Sequence, residues 1–216
     1  NAVTDPMVHI LTATIINIPA AILISRIMVP STGKATKADA VEPYKFDSFM
    51  DAITKGAMDG LQMFLGIIAM VIVSLALVEL VDIMLAAIPT SGAPISLGMI
   101  FGFMMSPLTW LMGVPVEEAV AAGQVLGLKT VLNEVIAFVQ LGNMELTGLS
   151  VASTVIMIYA ICGFANLSSI GIQIAGLGSI APTRKAEIIK LAPKALIAGT
   201  IAGCMSGAIV GLILKF

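Results

Sequence analysis

The stretch GLKTVLNEV, residues 127–135, sets Lys129, Thr130, Asn133 and Glu134 inside a chain that is apolar for long distances on either side. Hydrophobic residues make up 58% of the 216 and charged residues 11%, and the mean hydropathy is +1.06. Ordinary soluble domains are about half apolar and a quarter charged. Runs such as 61–78 and 195–214 supply the ~20 apolar residues that cross ~30 Å of hydrocarbon, and they lack the alternating pattern of a membrane barrel. The chain therefore reads as an all-α membrane protein, and the polar stretch at 127–135 decides how its helices are arranged.

Lys and Arg orient such a chain. Arg26, Lys34, Lys37, Lys45 and Lys55 fall in or beside the polar stretch after the first apolar segment, and Arg184, Lys185, Lys190 and Lys194 fall around a second connection. By the positive-inside rule both are cytoplasmic, so the crossings between them are even in number. The intervening runs are 61–88, 95–114, 119–141 and 149–180. If the first goes out and the last returns, the two middle segments together cross twice or not at all.

A straight helix over 119–141 holds Lys129 and Glu134 near mid-membrane, where each charge costs roughly 3 kcal/mol on insertion scales. Two half-helices of about 15–18 Å each instead dip halfway and return, gathering the polar residues at the tip. Non-helical backbone at that depth requires surrounding protein or a water-filled cavity, so the tip lines a cavity. Segment 95–114 is then an outer interfacial helix broken near Pro107, with Trp110 at headgroup depth. A pair of full crossings also satisfies the parity.

The run 149–180 is interrupted by Gly163, Asn166, Ser168, Ser169 and Gly171. Such interruptions mark unwinding in carrier helices, or they hydrogen-bond a neighbouring helix. Gly199, Gly203, Gly207 and Gly211 recur every fourth residue, one face on which another backbone can pack closely. Met7 to Met28 forms one crossing. Tyr44 to Met58 suits a short interfacial helix leading into the next.

Several function classes are excluded. Hydrolase, redox and phosphate-cradling motifs are absent, so an enzyme is not expected. His9 has no second ligand at metal spacing, and Cys162 and Cys204 read as small buried hydrophobes. No basic cluster tracks phosphates, so nucleic acid is not a partner. What remains is two polar constellations at membrane depth, Lys129/Thr130/Asn133/Glu134 and Asn166/Ser168/Ser169. Facing each other across two discontinuous elements, they form a substrate site of the kind secondary carriers use. A carboxylate beside amides and hydroxyls suits a neutral polyhydroxylated ligand such as a ribose. The alternative role for Glu134 is a salt bridge to Lys129.

Three blocks carry a family resemblance: GVPVEEAVAAGQVLGLKTVLNEVIAF (113–138), CGFANLSSIGIQIAGLGSIAPTRKAEI (162–188) and KALIAGTIAGCMSGAI (194–209). They resemble the C-terminal half of concentrative nucleoside transporters, and the likeness extends over essentially the whole chain. The resemblance implies a polytopic helical bundle with a re-entrant helical hairpin, a discontinuous transmembrane helix and interfacial helices. In its terms, residues 1–30 are a transport-domain crossing, 31–57 a cytoplasmic basic loop and interfacial helix, and 58–92 a scaffold crossing. Residues 93–114 are the outer interfacial helix, 115–145 the hairpin, and 146–216 the discontinuous and final helices.

The resemblance further implies that Glu134, Asn166 and Ser169 bind the ribose hydroxyls of nucleosides such as uridine while Phe164 lines the pocket. Lys129, Thr130, Asn133 and Ser168 would support them from behind. It implies a homotrimer in the lipid of a bacterial inner membrane, moving in an elevator-like manner. No metal site is expected in this segment. The family's first hairpin, with its base-reading residues and sodium site, is not in this sequence, so the coupling ion is expected to bind in a preceding half of a longer chain. Proton-coupled symport and a non-transporting helical membrane subunit are the competing readings.

Overall fold

The computed structural model describes residues 5–30, 46–90, 94–143 and 148–214. Helix α1 (Pro6–Met28) opens with proline in its first turn and ends with Arg26 in its last, the arrangement that suits a helix with orphan N–H groups at its start and a negative pole at its end. Helix α2 (Phe49–Ala86) is capped by Ser48, whose hydroxyl accepts the Asp51 N–H at 3.1 Å. It runs unbroken for 38 residues, roughly 57 Å at 1.5 Å per residue and well beyond ~30 Å of hydrocarbon. Of the short helix expected at Tyr44 to Met58, the part from Phe49 to Met58 is the beginning of α2 and runs into the crossing without a break. The rest of the basic loop, residues 31–45, lies outside the described residues.

Helix α3 (Leu97–Leu111) is capped by Ser96 and joined to α2 by Asp82, whose carboxylate accepts the Leu97 N–H at 2.6 Å. It continues through Pro107 instead of breaking there. Proline cannot donate to the carbonyl four residues back; here the Ser106 hydroxyl donates to the Phe103 carbonyl at 2.8 Å in its place. Then follow α4 (Val116–Val131), α5 (Glu134–Gly142), α6 (Val151–Ile161) and α7 (Leu167–Ile180). A 3-10 turn, Pro182–Arg184, leads into α8 (Lys185–Leu214). Among the described residues, three helical stretches have the length and apolarity to cross a membrane: Pro6–Met28, Phe49–Ala86 and Pro182–Leu214.

Two glycine-lined contacts fix the packing around the polar segments. Helix α3 lies antiparallel against α4 at backbone distance: a Cβ on Gly123 would come 2.3 Å from the Gly102 carbonyl oxygen, and one on Gly127 2.7 Å from the Gly102 nitrogen. The buried Thr109 hydroxyl donates to the Ala119 carbonyl at 2.8 Å and ties the other end of the pair. On α8, the four-residue glycine ladder fits the packing role read from its spacing. A Cβ on Gly203 would meet the Ala160 oxygen at 2.5 Å, and one on Gly211 the Met112 oxygen at 2.0 Å. Helix α8 thus presses on α6 and on the turn before α4. Between these contacts sits the core, in which Val125 and Leu126 of α4, Ala137 of α5 and Ile156 to Ile161 of α6 are buried together.

Candidate functional site

The site is built where two helices begin. Helix α4 ends at Val131; Leu132 leaves the helical region, and Asn133 is extended (φ −166°, ψ 170°). The Asn133 side chain accepts the Ile136 N–H at 3.0 Å, which caps α5 and puts Glu134 on its first turn. The second start lies thirty-odd residues on, where α6 stops at Ile161 and α7 begins after Asn166. The Asn166 side-chain oxygen accepts the Ser169 N–H at 2.8 Å, and the Ser169 hydroxyl accepts the Asn166 N–H at 3.2 Å. This is a reciprocal capping box that satisfies two orphan donors. Asn-x-x-Ser at the end of an apolar run is the local signal for it.

One contact joins the two starts. With its oxygen committed to the cap, Asn166 turns its amide nitrogen outward and donates to Glu134 Oε2 at 3.0 Å. The carboxylate therefore lies at the positive end of α5 and beside the capped start of α7, where helix dipoles favour negative charge. Glu134 is half-buried, and its second carboxylate oxygen has capacity for further donors.

The other expected residues divide sharply by access. Phe164, on the non-helical link between α6 and α7, is 53% exposed, whereas Asn166, Ser168 and Ser169 are buried. The Ser169 hydroxyl also donates to the Asn166 carbonyl at 2.6 Å, so it both gives and accepts within the cap. The Thr130 hydroxyl bonds back to the Leu126 carbonyl at 2.9 Å within its own helix. Lys129 is fully buried and its Nζ has no hydrogen-bond partner. The salt bridge weighed for Lys129 and Glu134 is not formed, since the carboxylate is engaged by Asn166 and the ammonium stands alone.

Sequence reasoning missed Asn17. From the middle of α1, its amide nitrogen donates to the Cys162 carbonyl at the end of α6, and its oxygen accepts the buried Ser206 hydroxyl of α8 at 2.6 Å. Asn17 thus clamps the α6–α7 break between two long helices. A lone amide in an otherwise apolar crossing was the available signal, because such a group seeks a partner within the protein. His9, for which no metal role was expected, lies 3.1 Å from the Tyr159 hydroxyl and meets its ring edge-on. No group of three His, Cys, Asp or Glu side chains suited to a metal occurs among the described residues.

The chain is similar in sequence and fold to known proteins. A family model described as "Na+ dependent nucleoside transporter C-terminus" matches residues 9–211. The chain is 36% identical to the "Uncharacterized transporter YutK" of Bacillus subtilis, covering 96% of this chain and 52% of that protein. It is 33% identical to "Nucleoside permease NupC" of Helicobacter pylori, covering 96% and 51%. A solved structure of a CNTnw variant in its intermediate 3 state has a TM-score of 0.84 at 29% identity over 96% of this chain and 52% of that one. CNTnw in an inward-facing substrate-bound state has a TM-score of 0.71 at 30% identity, over 92% and 48%. The chain spans about half the length of these relatives.

Proposed function

Because the chain belongs to the concentrative nucleoside transporter family, corresponding to its C-terminal domain, we propose that it forms the ribose-reading part of a nucleoside carrier, with uridine as a representative substrate. The family consists of multi-pass membrane transporters and not enzymes; the carrier's placement in a bacterial inner membrane is part of the proposal. The observation that carries it is the Asn166–Glu134 contact, which brings a carboxylate and an amide together at two facing helix starts.

Ribose offers two neighbouring hydroxyls, and an ionised carboxylate accepts from O–H groups with charge-assisted strength. Glu134 receives these protons through its open lone pairs while Asn166 holds the carboxylate in place. Ser169 completes the network, in the described geometry by fixing Asn166 through the capping box; direct contact with ribose requires the box to open. Phe164 is the exposed aromatic on the same link and supplies an apolar wall. A site built on buried polar groups rejects analogues that leave them unpaired, by factors of roughly 10⁴ or more in favourable cases. The 2′,3′-dideoxy analogue is thus a poor ligand.

Three further parts belong to the same reading. Uptake is coupled to sodium bound in the other half of the transporter. The broken helix, the hairpin about residues 132–133 and α8 move together as a transport domain against α2 in an elevator-like step. Three copies associate through the α2 scaffold within the lipid. The family description, which names sodium, and the exposed apolar length of α2 support these parts.

The test is Glu134→Gln in the intact transporter, measured by uridine uptake into proteoliposomes with size-exclusion elution as the control for folding. Uptake is abolished with elution unchanged; uptake at near wild-type affinity sinks the ribose assignment. Replacing sodium by choline at fixed pH abolishes wild-type uptake. Persistence would point to proton coupling, the second reading, favoured by an ionisable group at this depth. A non-transporting subunit would show no uridine uptake in either assay.

A further inference from the structure

Arg26 and Lys194 stand at matching depths on two helices that run in opposite directions. The apolar run 195–214 of α8 starts directly after Lys194, and its ~20 residues span the ~30 Å of hydrocarbon. Arg26 lies in the last turn of α1, which begins at Pro6, so it too closes a stretch of ~20 residues, long enough to cross. Both cations therefore mark one edge of the hydrocarbon. It is the edge to which the positive-inside rule assigns the two basic stretches, the cytoplasmic one.

The fold brings the two cations into one cavity. A groove of about 270 Å³ opens between the end of α1 and the facing turns of α8, and its lining includes Arg26, Val29, Leu191, Lys194, Ala195 and Ala198. Ala198 is buried, whereas Arg26, Val29, Lys194 and Ala195 are exposed. Charge thus stands at the opening with apolar surface beneath it, and the two alanines leave the depth that longer side chains would fill. Neither cation is neutralised: among the described residues the ion pairs are Lys55–Asp51 and Arg184–Glu187. A neighbouring cavity of about 240 Å³, between α7 and α8, shares Leu191 with the first and also holds an arginine. There, however, Arg184 is paired with Glu187 at 2.7 Å. Of the two grooves, only the one beside α1 carries unpaired positive charge.

A complementary ligand has an anionic head and an apolar body. Basic pockets between transmembrane helices on the cytoplasmic side suit anionic lipid headgroups, whereas a free phosphate would match the charges and leave the apolar wall uncovered. We propose that the groove between α1 and α8 is a binding site for an anionic phospholipid of the cytoplasmic leaflet, its phosphate between Arg26 and Lys194 and an acyl chain along Val29, Leu191, Ala195 and Ala198. The guanidinium supplies paired donors to phosphate and the ammonium a point charge. The inference goes beyond the nucleoside reading and needs only the chain's placement in a membrane. A lipid held there bridges the same two helices that Asn17 and Ser206 join deeper in the bundle.

The test is native mass spectrometry of the purified intact transporter, titrated in detergent with phosphatidylglycerol or with phosphatidylcholine of the same acyl chains. Wild type holds phosphatidylglycerol at least about tenfold more tightly than phosphatidylcholine, and glycerol 3-phosphate, which has the charge without the chains, does not displace it. The double variant Arg26→Gln/Lys194→Gln loses one tightly held phosphatidylglycerol per chain, its affinity falling roughly 25-fold, about fivefold for each charge removed. Ala195→Phe keeps both charges but fills the groove, and it loses the same lipid. Arg184→Gln, at the paired cavity, retains it. Retention by the double variant or by Ala195→Phe overturns the site, and this is the result if the other half of the transporter covers the groove. Equal binding of the two lipids, an equal loss in Arg184→Gln, or displacement by glycerol 3-phosphate overturns it as well. If the double variant does not elute as a folded protein, Ala195→Phe decides by the same criterion: loss of the lipid supports the site and retention overturns it.

Discussion

Along α2 the side chains of Phe49, Phe64, Ile72 and Ile83 are exposed, Phe49 to 80%, whereas along α6 every residue from Ser153 to Ile161 is buried. Both segments are apolar, and by composition either could face lipid or protein. What separates them is the neighbours their small residues admit. Gly56 and Gly60 of α2 have nothing within 4 Å of where a Cβ would stand. Helix α6 instead meets α8 at glycines whose missing side chains let the backbones touch. Apolarity makes a helix compatible with the membrane; close approach decides whether it belongs to the bundle around the site or to its outer surface.

The sharpest test of that contrast is one substitution made in both regions. Gly211→Ala puts a methyl group 2.0 Å from the Met112 carbonyl oxygen. No flexible side chain can yield there, so the cost is on the order of 3 kcal/mol or more, at or above the usual range for overpacking. Size-exclusion chromatography of the detergent-solubilised protein should show aggregate in place of a folded peak, and a stable variant would mean that α8 does not press on the turn before α4.

Asn17→Ala gives an intermediate effect. It removes the amide shared by the Cys162 carbonyl and the Ser206 hydroxyl; the hydroxyl keeps its bond to the Ala202 carbonyl at 3.2 Å, so the loss of about 1–3 kcal/mol expected for an unpaired buried group falls on the carbonyl. Because the carbonyl ends α6, thermal stability and nucleoside affinity should fall together. Lower stability with unchanged affinity would separate the clamp from the Glu134–Asn166 contact.

Gly60→Ala is the smallest effect and has the opposite sign. In open space alanine gains about 0.5–1 kcal/mol over glycine within a helix, so the unfolding temperature rises slightly. A clear drop instead would place another subunit directly against α2 at Gly60, so the sign of the shift shows whether the proposed contact between copies includes this turn of α2.

Much of the site could be read from residue types. Asn133 and Asn166 are strong helix starters, and each lies where an apolar run is interrupted, so both breaks were legible from local chemistry. The glycine ladder of α8 was legible for the same reason, since its spacing places all four on one face. Pro107 was misread because its effect depends on a donor one residue away: the Ser106 hydroxyl replaces the missing N–H and keeps α3 continuous. The α3–α4 contact was not visible at all. Gly123 and Gly127 are four residues apart on α4, but their partner Gly102 lies on another helix, and the pairing appears only when the two segments run antiparallel at backbone distance.

The two charges show where local reading stops. The sequence by itself determined that Lys129 and Glu134 lie within an apolar chain and five residues apart, which made a salt bridge a reasonable expectation. The tertiary structure decided otherwise. A helix break between them sends the carboxylate to Asn166, thirty-two residues on, and leaves the Lys129 ammonium buried without a hydrogen-bond partner. Sequence spacing fixes which groups share a face of one helix, as with the glycines of α8. Which partner a buried charge meets depends on where the chain turns and which other helices close over it, and that is settled only when the long-range contacts form.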